Sequence, residues 1–487
     1  MKIARLSNQE LEYTGFTFGM NSPIMTKRSD HMNTLLIRNL HTIVSCDDAD
    51  RVYHGCDIYI EDNVIRAIGN SLQINADKVI DGTHMLCYPG LINTHHHLYQ
   101  QFSRNLPAVQ NMELFPWLKT LYEVWKNVDE DVVRASSLTG MGELMKNGCT
   151  TCFDHHYVFP AGSGDLIGAQ MEAAQMLGMR MHSSRGSMDL SVKDGGLPPD
   201  SVVQSVDEIL RDSDRLISRW HDPSFGSMRQ IALAPCSPFS VSAELLRQSA
   251  ILARERGVRL HTHLCETKDE ENYTLEHFGM RPLAYMETLG WIGPDVWYAH
   301  GIHFNSDELR RLAETGTGVA HCPVSNMKLS SGIAHIPEML ALGVPVGLAV
   351  DGSASQDGSN LLEELRVCFL LHRLNSSQAA PDGYEILKLA TRGSARLLGR
   401  SDIGSLEVGK CADLFMVDSR RLELVGATYD PKCVFATVGV RGAVDYTVVN
   451  GRVTVEHGRL CSVDEEKCTE AARAVCDDYL SKSGIIR

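Results

Sequence analysis

Pro89-Gly90-Leu91-Ile92-Asn93-Thr94-His95-His96-His97 is the stretch on which the reading of this chain turns. A short apolar run leaves a Pro-Gly punctuation and ends in three histidines. In an extended strand alternate side chains share a face, so His95 and His97 point together while His96 points away. Two imidazoles are thus delivered to one side of a strand end. That is a useful arrangement only if other strand ends meet it there.

Further apolar runs of strand length follow, separated by helical stretches, the alternation that builds a parallel sheet and, at this repeat number, a barrel. Eight such strands are expected to end near His97, His156, Ser184, Ser237, Glu266, His303, Cys322 and Gly352. Short β-type runs on either side of this region, Leu35-Leu36-Ile37 and Val64-Ile65 before it and Leu414-Phe415-Met416-Val417 and Val448-Val449 after it, carry turn residues between them. The expected fold is therefore α/β: a distorted (β/α)8 TIM barrel with a small β-sandwich built from both ends of the chain. The boundaries are a leader over 1–33, sandwich over 34–88, barrel over 89–400, sandwich again over 401–460 and a C-terminal helix or tail over 461–487. The leader is polar and without period, and Met25 or Met32 could serve as the start.

In such barrels chemistry sits at the C-terminal ends of the strands. An HxH pair alone is a weak signal, since 20 histidines give about one by chance and His261/His263 is a second example. The fifth strand sharpens it: His261 and His263 share the inward face, but His263 lies nearer the end, which makes it the metal-ligand candidate and His261 a filler or supporting group. Glu266 falls just past that strand, where a carboxyl beside an activated water can take a proton and pass it on. The sixth strand brings His300 to the rim and the eighth brings Asp351, at an apolar run that stops abruptly in Asp-Gly-Ser. His95, His97, His263 and Asp351 then make a four-ligand set with room for water. Nitrogen and oxygen donors of this kind suit one divalent metal, zinc first and ferrous iron second. Taken singly each histidine is more often a core residue, and an Asp-Gly is usually a turn. Four strand ends carrying the required residue type reverse that reading.

Bulk composition agrees with a metabolic enzyme. The 487 residues are 43% hydrophobic, enough for a large core and a smaller one, and 46 basic against 61 acidic side chains give a net charge of −15 with no basic run. That disfavours nucleic acid as the main partner, so none is expected, and a small neutral or weakly acidic substrate fits better. The 14 cysteines have no framework spacing, no apolar leader precedes them, and no run approaches the roughly 20 residues needed to span a bilayer, so reduced thiols in a cytoplasmic protein are expected. Cys149 and Cys152 form a CxxC that a buried second strand explains more simply than redox chemistry.

These motifs resemble the amidohydrolase superfamily, in its branch of aminohydrolases that contains guanine, cytosine and S-adenosylhomocysteine deaminases and the triazine hydrolases. The resemblance runs from about Thr34 to Gly458, through the segment ending at His97, the His263-x-x-Glu266 pair, the His300 strand, Asp351-Gly352-Ser353-Ala354-Ser355, and Gly404-Ser405-Leu406-Glu407-Val408-Gly409-Lys410-Cys411-Ala412-Asp413-Leu414. It implies His95, His97, His263 and Asp351 as metal ligands, with Glu266, His300 and Asp351 handling protons. Members with two metals bridge them with a fourth-strand lysine; Gln230–Pro238 has none, which implies one metal. Loop segments 114–122, 184–188, 194–199 and 234–240 resemble those of members acting on 8-oxoguanine. The implied reaction is hydrolytic deamination of a purine-like amino heterocycle, 8-oxoguanine to uric acid and ammonia first, with guanine, isoxanthopterin or a hydroxyatrazine-type triazine as alternatives and a non-catalytic barrel as the remaining one. A homodimer is a further possibility that the family raises. For substrate contacts the reading selects Gln100 and Arg185, able to read ring oxygen and nitrogen edges, and Trp117, able to cover a ring face. Trp117 could equally be core, Arg185 could pair with an acid such as Asp189, and only one of His155 and His156 can face inward.

Overall fold

The structure is a computed structural model that describes residues 33–485. Apart from Asn33, the expected leader lies outside the described residues. Five strands come first: β1 (Thr34–Val44), β2 (Val52–Glu61), β3 (Val64–Gly69), β4 (Lys78–Asp81) and β5 (Met85–Pro89). Eight short ones follow: β6 (Leu91–Asn93), β7 (Cys149–Asp154), β8 (Arg180–Ser187), β9 (Arg229–Pro235), β10 (Arg259–Leu264), β11 (Val296–His300), β12 (Gly318–His321) and β13 (Val346–Leu348). Four more complete the strands of the described residues: β14 (Leu414–Asp418), β15 (Tyr446–Val449), β16 (Arg452–Glu456) and β17 (Arg459–Leu460).

Strands β6 to β13 lie in chain order, each parallel to the next. Side chains and strand ends close the ring between its first and last members: Val350 N–H donates to Asn93 Oδ1 (2.9 Å), the Thr94 hydroxyl to Leu348 O (3.0 Å), and Asp351 N–H to His95 O (3.1 Å). The eight expected strands are these eight, and this is the (β/α)8 barrel. Returning helices are cut to length by their caps. Ser242 and Asn305 accept N–H bonds at helix starts, while Gly257 and Gly316 end those helices at φ 65° and 69°, a conformation open to glycine without steric cost. Each of these glycines stands two residues before the next strand, so the cap also fixes where β10 and β12 begin. Inside the barrel Ile92, Phe153, Ala232, Trp297, Ala320 and Ala349 form a buried plug beneath the histidines.

The remaining nine strands form one mixed sheet drawn from both ends of the chain. A bulge between Ile37 and Leu40, with Asn39 at φ 56°, splits β1 so that its first half pairs with β4 and its second with β5. The sheet curls back on itself where Ile65 exchanges backbone bonds with Lys410 and Gly409 (3.0 and 2.8 Å), giving the two-layered small domain its own core of Leu35, Ile37, Ile58, Ile60, Leu414 and Met416. Arg180 ties it to the barrel. Its fully buried guanidinium meets Asp413 at 2.8 Å, which gives the acid of the Ala412-Asp413-Leu414 motif a structural task. Helix Glu465–Ser483 closes the chain against helix Glu130–Lys146, pinned by Lys146 on Glu465 (2.7 Å). Among the described residues no helix is long and apolar enough to cross a membrane.

Candidate metal and catalytic centre

The ends of β6 and β10 and the segment after β13 bring His95, His97, His263 and Asp351 to one point. Asp351 Oδ1 lies 3.1 Å from His95 Nε2 and 3.3 Å from His97 Nε2, and the Nε2 atoms of His97 and His263 stand 3.2 Å apart. For bonds of about 2.0–2.1 Å, donors around a tetrahedral metal stand roughly 3.3 Å from one another, so these separations fit a single ion. His95 Nε2 is fully buried and has no hydrogen-bond partner. A lone pair left bare in such a place is what a metal would take up, so the donor set fits the group.

The tautomers follow from what lies behind each ring. His97 Nδ1 faces the carbonyl of His155 (2.7 Å) and His263 Nδ1 that of Cys236 (2.6 Å); a carbonyl only accepts, so both Nδ1 atoms carry the proton and both Nε2 atoms present lone pairs. His95 is set by a relay. His261 Nδ1–H donates to Trp297 O (3.0 Å), which leaves His261 Nε2 as the acceptor for His95 Nδ1–H at 2.8 Å. His261, stacked on Trp297, is therefore the supporting group and not a ligand. Burial depresses His95 and takes His263 down to about 3, keeping the imidazoles neutral as ligation requires. At Asp351 burial works toward protonation, but the His95 and His97 imidazoles beside its Oδ1 hold its carboxyl well below the usual range. Its other oxygen accepts the hydroxyls of Ser325 (2.6 Å) and Ser355 (3.1 Å).

Glu266 and His300 stand at the same mouth. His300 Nε2 is 3.6 Å from Glu266 Oε2 and 3.9 Å from Asp351 Oδ2, while its Nδ1–H donates to Asn326 Oδ1 at 2.8 Å. Burial raises the Glu266 carboxyl; at His300 burial acts the other way but Glu266 and Asp351 outweigh it, so the imidazole is held above its ordinary value. Both groups are thus displaced upward, and perturbed values on an adjacent acid and base in a cleft are the mark of a proton-transfer pair. Cys265, His300 and Asp351 all have φ between 54° and 72°, where a side chain is strained by about 1–3 kcal/mol. Such backbone strain gathers where function requires it.

A narrow cleft opens over these groups, and Gln100 and Trp117 line it. Both carry a buried polar atom with no protein partner, Gln100 Oε1 and Trp117 Nε1. Gly352 allows this packing: a Cβ there would stand 2.0 Å from Gln100 Oε1 and 2.9 Å from His97 Cδ2. Arg185 departs from the sequence expectation. Its side chain leaves β8 on the outer face, fully buried, with Nε on Asp212 (2.7 Å), Nη2 on Gln204 (2.7 Å) and the guanidinium over Phe159. It braces the barrel wall and does not line the cleft; the acid it meets is Asp212, while Asp189 receives Ser242 instead. Of the strand-two histidines His155 faces inward, stacked on His263, and His156 turns out to Val158 O. The sequence reading missed Tyr157, Ser325 and Asn326. The last two sit on the segment after β12, and the lack of any polar candidate at the seventh strand end was the available signal.

Comparison with known proteins agrees with this geometry. The amidohydrolase family profile matches residues 86–454. An 8-oxoguanine deaminase from Pseudomonas aeruginosa is 48% identical over 384 residues, covering 79% of this chain and 85% of the relative. A hydroxydechloroatrazine ethylaminohydrolase from Pseudomonas sp. (strain ADP) is 42% identical over 460 residues, 91% of this chain and 95% of that protein. The crystal structure of a zinc-complexed atrazine chlorohydrolase from Arthrobacter aurescens TC1 superposes with a TM-score of 0.88 at 34% identity, covering 91% of this chain and all of that one. The chain belongs to the amidohydrolase family. It is a hydrolytic deaminase of that family, acting on carbon–nitrogen bonds outside peptides.

Proposed function

We propose that this protein converts 8-oxoguanine and water to uric acid and ammonia, with one zinc ion held by His95, His97, His263 and Asp351. The observation that carries the substrate choice is the pair of unpartnered polar atoms on two residues that line the cleft. Trp117 Nε1–H offers a donor and Gln100 Oε1 an acceptor, the two complements that an oxopurine ring edge displays as carbonyl and N–H. The 48% identity to a deaminase of that substrate supports the same choice. A triazine remains the second reading, since a relative acting on one spans nearly the whole chain.

When bound, a divalent metal lowers the pKa of coordinated water toward neutrality and polarises it for attack. Glu266 accepts a proton from the attacking water and delivers it to the ring nitrogen beside the amino-bearing carbon. His300, held by Asn326 and flanked by two carboxylates, keeps a hydrogen bond on the incoming oxygen. Asp351 takes the second proton and returns it to the departing nitrogen, so ammonia leaves neutral. The fourteen free thiols fit a reducing cytoplasmic setting.

Ammonia release by zinc-loaded protein is the test, with 8-oxoguanine, guanine, isoxanthopterin and hydroxyatrazine as substrates and Glu266→Gln as the blank. Turnover of 8-oxoguanine that the blank lacks is the expected result. Turnover of another member alone overturns the substrate, and equal turnover by the blank overturns the role of Glu266.

A further inference from the structure

Glu270 is fully buried one turn into helix Lys268–Phe278, yet no ion pair to it is found among the described residues. Its carboxylate is spent on backbone instead. Oε1 accepts the N–H of Cys265 at 2.8 Å and Oε2 that of Glu266 at 3.2 Å. Cys265 is the residue held at φ 54°, and its own carbonyl accepts from Ile302 (2.8 Å) and His303 (2.9 Å), just beyond His300. One strained peptide therefore joins the end of β10 to the end of β11, and Glu270 grips it from below.

We infer that Glu270 is a positioning residue, whose two carboxylate oxygens hold the Cys265–Glu266 turn so that the Glu266 carboxyl stays aimed at His300. This rests on the proton-transfer role proposed for Glu266. A charged carboxylate buried without a cation costs stability, so its place under the turn is not explained by holding the fold together. A cluster of two N–H donors aimed at one carboxylate asks for two acceptors. Glutamine, of the same size, supplies one acceptor and sets its amide N–H against the other donor.

Glu270→Gln and Glu270→Ala are compared with the parent and with Glu266→Gln in zinc-loaded protein turning over 8-oxoguanine. Burial, opposed by the two N–H bonds, lifts the Glu270 carboxyl to about 8, so rates are compared above that pH. In both Glu270 variants kcat falls about 10- to 100-fold, as displacements near 1 Å at a reacting group do. KM stays within about twofold, zinc remains at one per chain, and Glu270→Gln unfolds no earlier than the parent. A packing role predicts the reverse: glutamine active like the parent and alanine less stable. Parent-like kcat in Glu270→Gln, with Glu266→Gln inactive, overturns the inference and leaves the proposed function standing. If Glu266→Gln is as active as the parent, the proton-transfer role proposed for Glu266 fails. A crystal structure of Glu270→Gln then decides the positioning alone: Cys265 leaving the left-handed region upholds it, and an unmoved Cys265–Glu266 turn refutes it.

Discussion

Replacing His261 with phenylalanine tests how the metal ligands are prepared. The ring packs between Phe153 and Trp297, at centroid distances of 4.9 and 4.6 Å, so an aromatic of similar size keeps the barrel plug filled. What it removes is the acceptor for His95 Nδ1–H. In the metal-free variant His95 is then better off with its proton on Nε2, where Asp351 Oδ1 waits at 3.1 Å. Binding a metal must undo that bond and leave a buried Nδ1–H without a partner, a cost of about 1–3 kcal/mol. Only the bound state bears it. Zinc affinity therefore falls about 10- to 100-fold, the usual effect of losing such a support and equal to about 1.4–2.7 kcal/mol. Competition against a chromophoric zinc chelator measures the constant, with circular dichroism confirming the fold. Glutamine at the same position, whose Oε1 can accept the proton, recovers part of the loss. A phenylalanine variant that is folded and binds zinc within about twofold of the parent would refute the relay.

Glu266→Gln should lower turnover by about 10²- to 10⁴-fold while zinc content stays at one per chain, as elemental analysis would show. The pH profile of kcat/KM should be bell-shaped: Glu266 must be ionised and burial raises its pKa, so activity is lost as pH falls through a midpoint above the ordinary 4.5, whereas His300 is held above 6.5 and its proton is lost only as pH rises past that raised value. An acid limb at or below 4.5 would contradict the first half. Arg185→Met should cost about 3 kcal/mol in denaturant unfolding, the low end for a broken buried pair because Asp212 keeps 27% side-chain exposure, and leave KM for 8-oxoguanine within about twofold; a large KM change would return Arg185 to the substrate. Gly352→Ala should raise KM or lower zinc occupancy, since its methyl group meets Gln100 and His97 in a space that has none to give.

Much of this centre was legible in the sequence because strand periodicity and strand ends are local facts. His95 with His97, the preference for His263 over His261, and Glu266, His300 and Asp351 all follow from counting alternate residues to the end of an apolar run. Arg185 was misread for a reason of the same kind: it stands on β8, where the inward and outward faces alternate, and nothing local says that Asp212 and Gln204 lie ready on the outer side. His155 and His156 remained undecided because they are adjacent, so alternation says that only one can face inward and not which one. Ser325 and Asn326 were missed since they reach Asp351 and His300 from a helix whose placement depends on the closed barrel.

The positive φ values at Cys265, His300 and Asp351 show why pattern reading stops where the chemistry begins. A strand that simply continued would send successive side chains up and down, out of the barrel as often as into it. Turning the backbone left-handed at or just past the strand end breaks that alternation and lets neighbouring strands aim acid, base and ligand at one point. The strain, about 1–3 kcal/mol at each, persists because fixed groups over-determine it: Glu270 and the Ile302 and His303 amides at Cys265, Asn326 at the His300 ring, Ser325 and Ser355 at the Asp351 carboxylate. Glu270 and Ser355 stand five and four residues from the turns they hold, Ser325 and Asn326 each 26 residues away, and all are individually ordinary. The chemistry is announced by the strand ends, and its geometry is set in part by residues such as Ser325 and Asn326 that only the closed barrel brings to them.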